Sequence, residues 1–385
     1  MEHEQRIRQV AVQRHVGGES VTAICRSLRR SRVWFYKWWG RYVGQSEQWW
    51  IDQLRRPRHP GRAIPRQIEV TILEIRDRLE AERLFCGAQA VRWSLEDEGI
   101  QPLPSERTIA RIIARHGRVR RRKGRYVPKG KRYPGVPGAQ AGQVHQTDFV
   151  GPCYLSGGPR FYSLNTMDVV TNRCAVEPVE RRSDAISAVW NTWLRLGLPH
   201  YQQVDNEWVF LGSPAHPRAM GKLIRLCVLM GVEPLFIPLG EPWRNGVVEK
   251  FNDHWRQRFY GRVTLPDFTS LRAESRAFEY RHNTRYRYSK LGGKTPQQAL
   301  ERQAGTVRYP EEDHPPDIRQ KPEDGRYHLI RFIRSDGLLD IFGEGFLLPP
   351  EAVYEYVWAT VDVASQRVQV RLDEKVIAGW AYPLR

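Results

Sequence analysis

The chain has 385 residues, of which 41% are hydrophobic, and it contains 13 Trp, 16 Tyr and 13 Phe. This length and composition exclude a single small module and an intrinsically disordered chain. The 61 Lys and Arg residues exceed the 43 Asp and Glu residues and give a net charge of +18. A field of that size favours a polyanionic partner, and nucleic acid above all.

The cysteines and the apolar runs indicate the compartment. The five cysteines are scattered and none forms a CxxC pair, which excludes a disulfide framework and a cysteine zinc site. No apolar run approaches the roughly 20 residues of a membrane span, and the first residues, MEHEQRIRQV, lack the apolar core of a signal peptide. We therefore expect a soluble, cytoplasmic protein with no membrane partner.

Residues 1–60 carry apolar side chains at helical spacing, interrupted by Gly17-Gly18. Ser31 is a suitable N-cap for a third helix, RVWFYKWWGRY. A helix-turn-helix consists of two short helices joined by a tight turn, and it presents its last helix to DNA. The pattern predicts a first helix-turn-helix DNA-binding domain, with Arg32 and Lys37 as candidate DNA contacts. A purely structural three-helix unit fits the same pattern.

Residues 61–117 predict a second helix-turn-helix, or winged-helix-like, DNA-binding domain. Its last helix begins after Ser105 and carries Arg107, Arg111 and Arg115 at i, i+4 and i+8, so that one face is basic. Three like charges on successive turns repel unless an anion compensates them. We take the three arginines as candidate DNA contacts, and a solvated charged face as the alternative.

Residues 118–142 predict a basic linker. From Arg107 to Arg132 there are 12 Lys or Arg and no acid. One interpretation is a solvated linker without a binding role. The other is a linker that becomes ordered on DNA and uses its positive charges as phosphate contacts. The candidate contacts here are Arg118, Arg120, Arg121, Arg122 and Lys123.

Residues 143–303 change to a strand-rich pattern. VHQTDFV, RFYSLNTMDVV and NRCAVEPV predict a three-stranded antiparallel meander, and helices then alternate with the strands YQQVD and EPLFIP. This order predicts an α/β core with a mixed five-stranded sheet. Asp148 lies within the first strand and Asp205 closes the fourth.

Two aspartates on neighbouring apolar strands are costly to bury and repel each other, so cations are the natural reason to keep them. Mg²⁺ suits an all-oxygen site, and a pair of ions can stabilise the attacking and leaving oxygens of a phosphoryl transfer. The third ligand is expected from a helix. Asp168, before a hairpin turn, is interpreted as a turn residue.

Three blocks carry a family resemblance: QTDF, VDN and EPWRNGVVEKFNDHW. They resemble the catalytic blocks of DDE transposases and retroviral-type integrases, which share an RNase H-like core. More narrowly, the chain is similar to bacterial insertion-sequence transposases, which place two helix-turn-helix units before the core and a small β domain after it. RTIARIIARHG and YRHNTRYRYSKLGGKTPQQAL extend the resemblance beyond the core.

The resemblance implies a catalytic triad of Asp148, Asp205 and Glu249 that holds two Mg²⁺, with Mn²⁺ able to substitute. Glu241 has the spacing from Asp205 that is common in the family, but it precedes Pro242 in a turn, whereas Glu249 lies inside the matching block. We therefore choose Glu249. Asn252 and Arg256 follow on the same helix face at i+3 and i+7 and are candidate DNA contacts, with a solvated face as the alternative.

The tail, residues 325–385, reads as short strands with turns and predicts a small, SH3-like β barrel. Residues 301–385 hold 11 basic against 15 acidic side chains. This local net charge of −4 favours a role in assembly over DNA binding.

The resemblance implies a DNA transposase that cleaves the ends of its mobile element with water and then joins the freed 3′ hydroxyls to target DNA. Its partners would be double-stranded DNA, at the terminal inverted repeats and at the target, and further copies of itself in a homodimer or homotetramer at the bacterial nucleoid. The sequence leaves undecided whether an accessory ATPase is a further partner. The alternatives are an RNase H-like nuclease without strand transfer and a catalytically silent, domesticated DNA-binding regulator.

Overall fold

The computed structural model describes residues 2–44, 47–52, 64–119, 132–136, 138–212, 216, 218–303 and 307–385. The predicted DNA contacts Arg120, Arg121, Arg122 and Lys123 lie outside these ranges. The chain divides into two compact units, Met1–Pro65 and Arg66–Arg385. None of the described helices combines the length and the apolar character that a bilayer crossing requires.

The first unit is helical. Ser20 and Ser31 cap its second and third helices, because their side chains accept hydrogen bonds from the backbone N–H of Ala23 and Trp34. The helices enclose a small core that includes Ile24 and Phe35, both 0% exposed. They are α1 (Glu2–Val16), α2 (Val21–Ser27) and α3 (Arg32–Val43).

The second unit begins with three more helices: α4 (Arg66–Ala81), α5 (Ala88–Asp97) and α6 (Glu106–Arg115). The Ser105 side chain caps α6 by accepting from the Thr108 N–H. This bundle lies against the rest of its unit. The Tyr286 hydroxyl donates to the carbonyl oxygen of Arg83 at 2.5 Å, and Arg287 pairs with Asp97 at 2.5 Å.

A nine-stranded mixed sheet forms the centre of the second unit, in the order β11-β10-β9-β6-β5-β4-β1-β2-β3, and β7 and β8 form a separate hairpin. β1–β2–β3 is antiparallel, β1–β4–β5–β6 is parallel, and β6–β9–β10–β11 is antiparallel again. The strands are β1 (Val144–Tyr154), β2 (Arg160–Asp168), β3 (Cys174–Val179), β4 (Tyr201–Val204), β5 (Glu233–Phe236), β6 (Arg326–Phe332), β7 (Leu338–Ile341), β8 (Glu344–Leu347), β9 (Tyr356–Asp362), β10 (Arg367–Leu372) and β11 (Lys375–Ala381).

Helices cover both faces of the sheet. Phe149 and Val150 are neighbours on β1 and belong to different apolar clusters, as the alternation of a strand requires. The Phe149 cluster includes α7 and α9, and the Val150 cluster includes α10 and α11. These helices are α7 (Ala185–Leu196), α8 (Trp208–Leu211), α9 (Lys222–Leu229), α10 (Gly246–Arg258), α11 (Phe268–Arg285) and α12 (Pro296–Glu301).

The predicted helical N-terminal part and mixed-sheet core are confirmed, and the structure does not show the tail as a separate C-terminal barrel. β6 pairs in parallel with β5, with Leu235 opposite His328 and Phe236 opposite Leu329. The five predicted strands are therefore part of a larger sheet, and the tail strands continue it. The physical reason is burial: five of the seven residues of β6 are buried, as an inner parallel strand requires.

Candidate active site

Two neighbouring parallel strands bring the two predicted aspartates to one edge of the core. The register of β1 and β4 pairs Val144 with Tyr201 and Gln146 with Gln203. Asp148 and Asp205 each lie two residues beyond the last of these pairs. On β1, Asp148 shares its face with Gln146 and Val150, which is the face that α10 covers.

The start of α10 is fixed to β1 by side chains of the sheet. The Gln146 Oε1 atom accepts hydrogen bonds from the Val247 N–H at 2.9 Å and the Val248 N–H at 3.3 Å. The Asn245 Nδ2 atom donates to the carbonyl oxygen of Thr147 at 3.1 Å. The helix therefore receives its N-terminal cap from the strand that carries Asp148, and Glu249 lies in its first turn.

Asp148 faces three other carboxylates. Burial raises its pKa to about 7, and the negative charges of Asp205, Glu207 and Glu249 add to that rise. Such an arrangement disfavours full ionisation in the absence of a cation. Two of these three charges belong to acids that the sequence singled out, Asp205 and Glu249, and the third belongs to Glu207.

The other carboxyls of this group respond in the same direction. Burial raises the pKa of Asp205 to about 6, with a further increase from the Glu207 charge, against the N–H of Glu207 and the Arg182 charge, which lower it. Burial and the charge of Asp253 raise the pKa of Glu249. The group is therefore an anionic site whose charge Arg182 compensates only in part.

A chain of hydrogen bonds orients Asp148. The Asn252 Nδ2 atom donates to Asp148 Oδ2 at 2.7 Å, and Asn165, which lies opposite Asp148 on β2, donates to Asn252 Oδ1 at 2.8 Å. Asn252 is only 6% exposed. Its amide is thus engaged by Asp148 and Asn165, and its role as a DNA contact stays a prediction.

Glu241, the alternative third carboxylate, belongs to a different group. It accepts hydrogen bonds from Arg244 Nε at 2.8 Å and from the Tyr356 hydroxyl at 2.7 Å. It is not among the charges that raise the pKa of Asp148, whereas Glu249 is. Glu241 is therefore occupied by Arg244 and Tyr356, and Glu249 stays the predicted third carboxylate.

Glu207 and Arg182 are the site residues that sequence reasoning missed. Arg182 Nη1 donates to both carboxylate oxygens of Glu207, at 2.7 and 2.6 Å. The Glu207 N–H donates to Asp205 Oδ1 at 3.0 Å. A second acid two residues after Asp205 was a visible signal in VDNEW, but no spacing rule joins Arg182 to it.

The donor set fits a hard divalent cation. Carboxylate oxygens are the ligands that Mg²⁺ prefers, and the raised pKa values of Asp148, Asp205 and Glu249 indicate that a cation would relieve their repulsion. Among the described residues, no three His, Cys, Asp or Glu side chains stand close enough to form a ready-made metal cluster. The carboxylates therefore fit a divalent cation by their oxygen donors and by their negative charge.

The predicted DNA contacts on α6, and Arg118 just after it, fall into two classes. Arg107 and Arg111 are exposed, and no described residue forms a hydrogen bond or an ion pair with either. Arg115 pairs with Glu69 at 2.5 Å, and Arg118 pairs with Asp77 at 3.1 Å. The repulsion expected along this face is thus partly relieved by carboxylates of α4.

The other predicted contacts are near the surface. Arg32 donates to the Thr22 hydroxyl at 2.8 Å, and the Lys37 ammonium lies 4.9 Å from the ring centroid of Trp38. Arg256 is exposed on α10. Each could therefore be reached by a phosphate.

Comparison with known proteins yields structural likeness only. No protein-family model matches the chain, and no curated protein matches it. The chain is similar to the HTLV-2 integrase catalytic core domain in complex with magnesium, at 18% identity over 42% of this chain and 99% of that one, with a TM-score of 0.33 for the trimeric form and 0.32 for the dimeric form. It is also similar to the simian T-cell lymphotropic virus intasome in complex with the PP2A regulatory subunit B56 gamma, at 15% identity over 80% of this chain and 97% of that one, with a TM-score of 0.37. These structural neighbours are retroviral integrases.

Proposed function

We propose that the chain is a DDE-type polynucleotidyl transferase, specifically a DNA transposase of the bacterial insertion-sequence type. The observation that carries the proposal is the buried carboxylate of Asp148, whose pKa burial raises to about 7 with a further rise from the charges of Asp205, Glu207 and Glu249. A buried anionic group of this kind is suited to binding divalent cations and phosphate oxygens together.

In this proposal Asp148, Asp205 and Glu249 hold two Mg²⁺, for which Mn²⁺ can substitute. The bound ions supply charge stabilisation for the attacking and leaving oxygens of an in-line displacement at phosphorus. Asn252 holds the Asp148 carboxylate in place, and the Gln146 cap holds the first turn of α10 and thus Glu249. The nucleophile is water during cleavage of an element end and the freed 3′ hydroxyl during joining.

DNA binding is assigned to the helical modules and to the basic segment between them and the core. Arg107 and Arg111 are exposed and unpaired among the described residues, so their charges are available to phosphates. Because two element ends must be joined to one target, the proposed working form is a homodimer or homotetramer on DNA. An accessory ATPase that selects the target would be an additional partner.

A strand-transfer assay tests the proposal. The DNA that flanks the gene supplies the inverted repeats, and pre-cut ends are incubated with target DNA, protein and Mg²⁺. We expect joined product from the unmutated protein and none from Asp205→Asn or Glu249→Gln, with end binding retained by both. Glu241→Gln is the matched control, since this carboxylate pairs with Arg244 instead, and it should keep joining activity.

The alternatives predict different products. An RNase H-like nuclease would cleave the ends and give no joined product. A silent DNA-binding regulator would bind the ends and give neither product, even when unmutated. Full activity of Asp205→Asn would refute the assignment of the site.

A further inference from the structure

The loop that carries Asp205 is held from both sides by arginines. Asp205, Asn206 and Glu207 follow β4 directly. On one side, Arg182 binds Glu207, whose N–H donates to Asp205. On the other side, the contact comes from the tail strand β6, through Arg331.

Arg331 is buried against this loop, with 5% of its surface exposed. Its Nη2 atom donates to Asn206 Oδ1 at 3.0 Å, and its Nη1 atom donates to the carbonyl oxygens of Ile237 at 3.2 Å and Ile330 at 3.0 Å. Asn206 Nδ2 in turn donates to the Ile237 carbonyl oxygen at 2.6 Å. Arg331, Asn206 and Ile237 therefore form a closed hydrogen-bonded ring that ties the segment after β4 to the segment after β5.

The Arg331 guanidinium is buried without a counter-ion among the described residues. No described carboxylate lies within ion-pair distance of Arg331, and its Nε atom has no hydrogen-bond partner in the described structure. Burial lowers the pKa of Arg331 to about 10, despite the opposing charge of Asp340. A buried cation without an ion pair is costly, and the hydrogen bonds that Arg331 donates to Asn206 and Ile237 offset that cost in part.

We infer that Arg331 is a positioning residue of the candidate active site, which acts through Asn206 on the placement of Asp205. The inference rests on the proposed function and extends it to the tail. The last four strands of the sheet then contribute to catalysis as well as to the fold, because one of them holds the loop of a catalytic carboxylate. A group held loosely loses its alignment with the reacting phosphate, and a misplacement of about 1 Å can reduce a rate roughly 100-fold.

The test is the full-length variant Arg331→Met, measured for stability, DNA affinity and rate. We expect a folded protein with a lowered unfolding midpoint, because Asn206 and the Ile237 carbonyl oxygen lose a buried donor. The Kd for a pre-cut end should be unchanged, and the single-turnover rate of strand transfer should fall roughly 10- to 100-fold. Arg331→Lys should give an intermediate rate, since an ammonium can replace one of the hydrogen bonds to Asn206 and Ile237. A residue with a purely structural role would lower the midpoint and leave the single-turnover rate of the folded protein unchanged.

Asn206→Ala provides the second variant, and the double variant closes a mutant cycle. If Arg331 acts through Asn206, the two effects on the rate are not additive, and the double variant is about as slow as either single variant. An unchanged rate in Arg331→Met, or fully additive effects, would overturn the inference.

Stabilisation by Mg²⁺ alone gives a readout independent of turnover. We expect Mg²⁺ to raise the unfolding midpoint of the unmutated protein and to raise that of Arg331→Met less. An equal rise in both proteins would contradict the role of Arg331 while leaving the proposed function intact. If the unmutated protein has neither activity nor a Mg²⁺-dependent rise, the proposed function fails and the inference falls with it.

Discussion

At the scale of single residues, Asp148 determines how the candidate site responds to pH. Its pKa of about 7 in the folded protein lies above its ordinary value of 3.8. The folded protein therefore binds this proton more tightly than the unfolded chain does. Since the unfolded chain loses the proton near pH 4 and the folded protein near pH 7, stability falls as pH rises through this window and stays low above it.

Asp148→Asn removes that charge and keeps an oxygen that can accept from Asn252. A pKa raised from 3.8 to about 7 corresponds to about 4 kcal/mol. We therefore expect the variant, without divalent metal, to be more stable than the unmutated protein at pH 8 by a few kcal/mol at most, and to be inactive. Denaturant unfolding at pH 8 and pH 4 measures this difference, which should vanish at pH 4. An equal gain at both pH values would show that the carboxylate charge is not its cause.

The candidate acids could be chosen from the sequence, because each lies in a short block with a recognisable order. The side chains that hold these acids in place could not be chosen in this way. Asn252 and Arg256 share a helix face by count, yet Asn252 is buried and Arg256 is exposed, because β2 covers only one of them. Arg331 lies more than a hundred residues from Asn206 in the chain, and only the pairing of β6 with β5 brings them together.

At the scale of elements, α6 carries two kinds of arginine. Some are exposed and have no ion pair among the described residues, and one already pairs with a carboxylate. Arg107→Ala and Arg111→Ala each remove an exposed, unpaired charge, so each should weaken binding to the element ends and reduce the slope of log K against log salt by about one. Arg115→Ala is the matched control, because Glu69 already compensates its charge, and it should change both quantities less. Titrations at several salt concentrations measure them. Equal losses for all three variants would mean that DNA displaces Glu69.

Strands and helices were predictable as elements, but strand partners were not. HLIRFI and YVWATVDV alternate or run apolar as strands do, and the structure has strands there. An alternating pattern specifies which face is buried and leaves open which edge is paired. The parallel pairing of β5 with β6 joins residues about ninety positions apart, and no local signal in either strand specifies it.

At the scale of the whole molecule, the tail strands are part of one core. Phe236 of β5, Leu329 of β6 and Val357 of β9 are 0% exposed and belong to the same apolar cluster as Trp193 of α7. On the opposite face of the sheet, where β5 meets β6, Leu235 and Ile330 are buried together. The burial of one side chain of this size contributes about 1.5–3 kcal/mol to the stability of the fold. The side chains buried where β5 meets β6 together therefore stabilise the fold several times more than an exposed contact between separate domains would.

Two truncated chains test this continuity. Residues 66–385 should unfold in one cooperative transition, because they form a compact unit by themselves. Residues 66–303 should aggregate or lack a cooperative transition, because β5 becomes an exposed apolar edge once β6 is removed, and such edges pair with other chains. Calorimetry and size-exclusion chromatography distinguish these outcomes. A soluble, cooperatively unfolding 66–303 chain would mean that the core is complete without the tail, and Arg331 could then not be needed to hold the Asp205 loop in the fold.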